Sequence, residues 1–199
     1  MNHSASVNRR EGAPGKHHHG GKSSESLLYK ETILDHLELV PGQIVLDAGC
    51  GTGYMSRAFA ERLGNVGRVY ALDPDEAVIV SLRKSTRGTN ILPVVGDITG
   101  FTRIPESTLD LIYVSTVLHG FSPEQIRGFD SEVNRLLKPR GRLAIVEIVK
   151  RPTPFGPPID MRFSPDDLKR VMTLLPLACV DVGEHFYMQL FEKPSGVRP

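Results

Sequence analysis

Ile44-Val45-Leu46-Asp47-Ala48-Gly49-Cys50-Gly51-Thr52-Gly53-Tyr54 is the stretch that decides the fold. An apolar run of strand length ends in an acid, and three glycines follow at alternate positions before a helical segment begins near Tyr54. Glycine is needed where the backbone takes positive φ, or where a ligand must reach the main chain without a Cβ in the way. A strand that runs through such a turn into a helix opens an α/β sheet, and sheets of that kind bind ligands outside the carboxyl ends of their strands.

Outward from this turn the chain alternates short β-branched runs with amphipathic segments. Residues 44–48, 68–72, 91–95, 109–114 and 143–148 read as strands, most of them near-continuously apolar, as strands covered on both faces must be. Ser122-Pro123-Glu124-Gln125 is a capping box with proline at the first helical position, and Ser164-Pro165-Asp166-Asp167 is a looser version. Lys138-Pro139-Arg140-Gly141 ends the first of these helices and turns the chain into the next strand. Two final runs, 177–183 and 185–192, are separated by little more than Gly183-Glu184, which suits a hairpin and leaves no room for a helical crossover. The expected fold class is therefore α/β, a Rossmann-like three-layer sandwich with a mostly parallel seven-stranded sheet and an antiparallel last strand.

The remaining organisation is brief. Residues 1–24, rich in Gly, Ser, His, Arg and Lys, read as a flexible N-terminal arm, and residues 25–199 as one domain. From Glu25 the positions Leu27, Leu28, Ile33, Leu34 and Leu37 predict a helix ending before Pro41-Gly42. Residues 151–158 hold four prolines and must be a loop; with Phe155, Met161 and Phe163 this region is expected either to line a substrate wall or to be plain surface. With 40% hydrophobic and 24% charged residues the composition is that of an ordinary globular chain. A net charge of +1 offers no basic field for nucleic acid, so no nucleic-acid partner is expected. The absence of a long apolar run predicts no membrane span, and two cysteines, Cys50 and Cys179, set no disulfide framework; both agree with a cytoplasmic protein. His17-His18-His19 read as part of a polar arm, and no metal site is expected.

Three ligands compete for the glycine turn. A nucleoside triphosphate loop needs Lys followed by Ser or Thr after its last glycine, and Gly53 is followed by Tyr54-Met55. A dinucleotide fingerprint spaces its glycines G-x-G-x-x-G, whereas here the third glycine comes one residue early. The pattern resembles instead the first motif of class I S-adenosylmethionine-dependent methyltransferases, the ubiquinone and menaquinone group in particular. Further resemblances follow in order from residue 33 to residue 192: Asp73-Pro74 closing the second strand, Gly96-Asp97-Ile98 after the third, residues 109–114 as the fourth, and Leu137-Lys138-Pro139-Arg140-Gly141, similar to the family's LKPGG with Arg140 in place of a glycine.

The resemblance implies the cofactor S-adenosyl-L-methionine and the product S-adenosyl-L-homocysteine. It implies a binding set of Asp47, Ala48, Gly49, Cys50, Gly51, Thr52, Gly53, Tyr54, Asp73, Pro74, Asp97, Ile98, Val114 and Ser115, to which Tyr29 is added because it and residues 20–24 read either as a lid folding over the cofactor or as plain polar arm. Asp73 would accept the ribose hydroxyls, Asp97 the adenine amino group, and Ile98 would pack on the ring. The cofactor carries a sulfonium and an ammonium but no phosphate, so a carboxylate at Asp47 suits it. His119, just after the fourth strand, is the candidate general base; it could equally order the turn at Gly120. Glu147 either reaches the same cleft or is a structural acid. The acceptor is expected to be a small molecule, because Ser115-Thr116-Val117-Leu118 stands where amino-methyltransferases of DNA carry an Asp/Asn-Pro-Pro-aromatic motif. Two other readings stay open: an NAD-dependent oxidoreductase, and a non-catalytic S-adenosylmethionine-binding protein.

Overall fold

A computed structural model describes residues 24–195. The arm at residues 1–23, with His17-His18-His19 and most of the expected lid, lies outside the described residues. The elements run α1 Lys30–Leu37, β1 Ile44–Ala48, α2 Tyr54–Leu63, β2 Arg68–Asp73, α3 Glu76–Ser85, β3 Ile91–Val95, β4 Leu109–Ser115, α4 Pro123–Leu136, β5 Leu137–Ile148, α5 Pro165–Val171, β6 Leu175–Gly183 and β7 Phe186–Glu192. The strands form one seven-stranded sheet in the order β3-β2-β1-β4-β5-β7-β6. β1 to β5 are parallel, and β7 inserts antiparallel to both neighbours. The last strand is antiparallel, as the short hairpin requires.

Each central strand feeds two cores because successive side chains alternate faces. Val45, Val69, Leu111, Tyr113, Ala144 and Val146 pack under α1, α2 and α3 with Ile33, Leu37, Phe59, Leu63, Ile79 and Leu82. Leu46, Leu72, Ile112, Val114, Leu143 and Ile145 pack on the other face with Phe129, Val133, Leu136 and Leu168 of α4 and α5. The result is the three-layer sandwich, and it explains why the strands read as unbroken apolar runs. Each fully buried large side chain, such as Phe59 or Phe129, contributes about 1.5–3 kcal/mol.

Both capping boxes form. Ser122 Oγ accepts from Gln125 N at 3.2 Å while Gln125 Oε1 accepts from Ser122 N at 2.9 Å. Ser164 and Asp167 exchange the same pair of bonds at 3.1 and 2.9 Å. At the start of the chain the structure departs from the periodicity. Instead of one helix from Glu25, a 3-10 turn spans Ser24–Leu27 and α1 begins only at Lys30. The break lies at Tyr29, whose amide donates to Val182 O of β6 at 2.8 Å. An amide captured by a distant strand cannot also extend a helix.

β5 also differs from expectation, beginning at Leu137 and not at Leu143, with a register shift between the pairs Leu109↔Leu137 and Leu111↔Arg142. Residues 138–141 bow out of the ladder, and Arg140 sits there at φ +63°, exposed, its amide donating to Lys193 O at 2.9 Å. A side chain in this left-handed region costs about 1–2 kcal/mol, partly offset because glycine loses about 0.4–1 kcal/mol more chain entropy on folding. Arg140→Gly is therefore expected to stabilise the fold by about 0.5–1 kcal/mol, read as a higher urea midpoint with an unchanged slope.

Candidate cofactor and catalytic site

All the candidate residues come to one place because parallel strands end at one edge. The carboxyl ends of β1, β2, β4 and β5 share that edge, and the β6–β7 hairpin returns to it, since Ile148 pairs with Phe186. The glycine turn leaves β1 there with Gly49, Gly51 and Gly53 at φ +74°, +49° and +78°. A Cβ on Gly49 would meet Val117 Cγ2 at 2.7 Å, and one on Gly53 would meet Leu82 Cδ1 at 2.5 Å, so these two serve the fold's own packing. A Cβ on Gly51 would meet nothing within 4 Å. Gly51 is where the turn faces open space.

The amides of this turn are already occupied. Gly49 N and Cys50 N both donate to Leu72 O, at 2.8 and 3.0 Å, Gly53 N donates to Cys50 O at 2.8 Å, and Gly51 N donates to Asp73 Oδ2 at 3.0 Å. Asp47, 3% exposed, takes the Ser56 hydroxyl at 2.5 Å and the Ser56 amide, so its carboxylate caps the amino end of α2. A pyrophosphate held at a helix amino terminus needs those free N–H groups and the positive end of the dipole. Here the N–H groups are spent on carbonyls and on Asp73, and the helix terminus on Asp47.

The acids set the sign of the site. Burial pushes the Asp47 carboxyl up to about 7 against the pull of the Ser56 bonds, and the nearby negative charges of Asp73 and Glu25 push it further. Asp73 is held in place by the Gly51 amide and by the Asp75 amide at 2.9 Å. Glu25, which no sequence signal marked, is brought over the turn from the 3-10 segment and accepts from the Thr52 hydroxyl at 2.7 Å. Three carboxylates thus gather around a turn with little donor capacity left, an arrangement suited to a cation.

The other expected residues divide. Asp97 is exposed beyond β3, its carboxylate bonded to the Thr99 amide and hydroxyl at 2.8 Å. Ile98 is buried in the core on the α4 side. Ala48 and Val114 are adjacent in register and likewise buried, and Ser115 follows opposite Val146. Pro74 is exposed after β2, Tyr29 is exposed beside the hairpin, and Tyr54 lies under Lys30 Nζ, 5.7 Å from its ring centre. The Cys50 thiol is buried, and burial with the Asp47 and Asp73 charges pushes it well above the ordinary thiol range, so it is no nucleophile. Asp110 belongs to the opposite edge, bracing the Ile44 amide at 2.7 Å and Lys138 at 2.7 Å.

Beyond β4 the chain bends sharply at Thr116, a β-branched residue at φ +55° whose amide donates to Val146 O at 2.8 Å. Such residues avoid this region unless surrounding contacts impose it. The bend delivers the short turn Leu118–Gly120 to the end of β5. There Glu147, with no solvent exposure, accepts the Leu118 amide at 2.9 Å on Oε1 and places Oε2 3.0 Å from His119 Nδ1. His119 and Glu147, each open to two readings from the residues alone, are joined by the structure. A hydrogen on Nδ1 facing the carboxylate leaves Nε2 as the bare acceptor nitrogen.

Two surface hollows are present, one of them beside the glycine turn. One of about 390 Å³ is at the opposite edge, lined by Gly42, Asn65, Val66 and Asn90 among others, and one of about 440 Å³ flanks the outer side of the turn at Lys30, Thr52, Tyr54 and Arg57. Neither holds the acids or His119. Among the described residues no cluster of His, Cys, Asp or Glu could hold a metal ion, and no helix is long and apolar enough to cross a membrane.

Strand order and glycine turn define a Rossmann-like domain. Residues 45–141 match a family model described as a methyltransferase domain, and this match, with the relatives and the solved structures the chain resembles, supports a class I S-adenosylmethionine-dependent methyltransferase. It is 32% identical over 126 residues to the ubiquinone/menaquinone biosynthesis C-methyltransferase UbiE of Hydrogenovibrio crunogenus, covering 62% of this chain and 49% of that protein. To the protein of the same name from Bordetella avium it is 30% identical over 134 residues, covering 67% and 52%. A solved S-adenosylmethionine-dependent methyltransferase from Aquifex aeolicus superposes with a TM-score of 0.75 at 24% identity, over 86% of this chain and 93% of that one. The chain thus spans about half the length of the curated relatives it matches.

The raised Asp47 fixes the sign of a pH effect. Its unfolded carboxyl ionises near 3.8 and its folded one near 7, so the folded state binds the extra proton between these values. Stability from this group is complete below about pH 4 and is lost as pH rises through 7. Asp47→Asn is expected to melt near wild type at pH 4 and several degrees higher at pH 8, as read by calorimetry at both values.

Proposed function

We propose that this chain transfers the methyl group of S-adenosylmethionine to a small-molecule acceptor. The observation that carries the reading is the glycine turn: its amides are bonded within the fold and its surroundings are acidic, which favours a sulfonium and an ammonium and repels a pyrophosphate. An NAD-dependent oxidoreductase is disfavoured on the same ground. The small-molecule acceptor is supported by the names of the relatives, which are enzymes of quinone biosynthesis, and by the absence of a basic field at a net charge of +1.

Bound S-adenosylmethionine supplies an electrophilic methyl group on a positively charged sulfur. In this reading the carbonyls of the turn and Asp47 hold its ammonium end, Asp73 takes the ribose hydroxyls, and the exposed Asp97 carboxylate and the Ile98 main chain meet the adenine. Gly51 leaves room for the ligand where a side chain would stand. Val114 and Ser115 floor the site, and Tyr29 with Glu25 borders it. His119 is the general base, taking the acceptor proton on Nε2 while buried Glu147 stabilises the imidazolium that forms. Positioning contributes roughly 7–11 kcal/mol in such displacements, and a base adds roughly 10²- to 10⁴-fold.

Titration calorimetry tests the binding half: S-adenosylmethionine and S-adenosylhomocysteine should bind at micromolar levels or tighter and NAD not at all, and saturable NAD binding would overturn the proposal. Gly51→Ala should fold with about 1 kcal/mol less stability and lose at least tenfold in affinity for S-adenosylhomocysteine. Intact-mass screening of an acceptor library for a methyl-sized gain tests turnover. With an acceptor in hand, His119→Ala should lower kcat by about 10²-fold or more at unchanged homocysteine-nucleoside affinity. A chain that binds the nucleoside yet methylates nothing would be a binding partner and no enzyme.

A further inference from the structure

Asp47 is a buried acid whose charge nothing around it offsets. It is 3% exposed, and its bonds are to neutral donors, the Ser56 hydroxyl at 2.5 Å and the Ser56 amide. From β2, Asp73 faces the same turn through its bond to Gly51 N, and from the 3-10 segment Glu25 does so through the Thr52 hydroxyl. From β4 comes its register partner Tyr113, and from the turn itself the Cys50 thiol, both buried. Burial pushes the phenol and the thiol above their ordinary ranges, so both stay neutral and neither balances a carboxylate. The cations that border the turn are engaged elsewhere. Arg57 of α2 donates to Thr52 O at 2.7 Å and to Ser85 Oγ at 2.9 Å, and Lys30 of α1 lies over the Tyr54 ring with Glu31 at 3.5 Å.

A carboxyl group out of water, beside like charges and without a cation, favours its neutral form. Burial first, and then the Asp73 and Glu25 charges, raise the ionisation of Asp47 to about 7. The group therefore changes charge within the physiological range. A positive charge lodged on the carbonyls of the turn reverses the balance, because it stabilises the ionised acid and does nothing for the neutral one. Direct contact is unnecessary, since charges buried together are screened far less than exposed ones.

We propose that cofactor binding at the glycine turn is proton-linked: the ammonium group is admitted as the Asp47 carboxyl gives up its proton, so that acidification releases the cofactor. This inference rests on the methyltransferase reading and adds to it the regulation of the cofactor site. In the step, the O–H bond of the Asp47 carboxyl breaks, the proton passes to solvent and the electron pair stays on the carboxylate. The ammonium of the ligand keeps its three protons. Because the ligand binds the ionised form, affinity is full above about pH 7 and falls about tenfold for each pH unit below it.

The test is calorimetry on the full chain with S-adenosylhomocysteine, whose neutral sulfur leaves the ammonium as its only cation, and with the analogue of it that lacks the amino group. From pH 7.5 down to pH 5.5 the Kd of S-adenosylhomocysteine should rise at least tenfold. Titrations at pH 6 in two buffers of different ionisation enthalpy should show about 0.9 proton released per ligand, and at pH 8 almost none. The amino-free analogue should show neither the rise nor the release. Glu25→Gln, which removes a neighbouring negative charge, should move the midpoint of the pH profile down, and Ser56→Ala, which removes a donor to the charged form, should move it up. A Kd that stays flat over this range, an equal pH slope for the analogue, or wild-type midpoints in both variants would overturn the inference and leave the methyltransferase reading intact. Failure of S-adenosylhomocysteine to bind even at pH 8 would overturn both.

Discussion

The contact between Asp47 and Ser56 ties this domain together. It joins the last turn of β1 to the first turn of α2 by a buried hydroxyl bond of 2.5 Å and an amide bond, and it places a carboxylate where related α/β folds leave a helix terminus free for phosphate. Once that acid is in position, the remaining turn amides go to Leu72 O, Cys50 O and Asp73. The turn then offers a ligand its carbonyls, its missing Cβ at Gly51 and negative charge. Burial keeps the acid half protonated near neutrality, a condition a cationic ligand would relieve.

The second centre of the edge is built on β5. Glu147 is buried, and its two oxygens serve the Leu118 amide and His119. One acid thereby fixes both the path of the chain after β4 and the orientation of an imidazole. Thr116 at positive φ is the local cost of bringing that segment across. Two residues further along the same strand, Val149 anchors the hairpin that carries His185. The glycine turn after β1 and this pair on β5 flank β4.

Much of this was legible in the residues. The strands were readable because each faces two cores and so shows no alternation, and the helices because Ser122 and Ser164 announce their own caps. The turn was readable because three glycines at alternate positions after an acid have few uses. Less legible were features that depend on distant pairing. The single helix expected from Glu25 breaks because Tyr29 is claimed by Val182, and β5 starts early because Leu137 finds Leu109 across the sheet. Ile98, expected against an adenine ring, spends its side chain in the core.

The sequence by itself determined the class of fold, the glycine turn and the acids at the strand ends, since these follow from local chemistry: period, glycine, caps and the position of a carboxylate after a strand. Tertiary structure alone decided which charges meet. It brought Glu25 over Thr52, closed His119 on Glu147, and gathered the carbonyls of a proline-rich loop onto Arg162. Those contacts join residues up to 28 positions apart in the chain. No periodicity or motif encodes them, because they arise only when parallel strands end at a common edge.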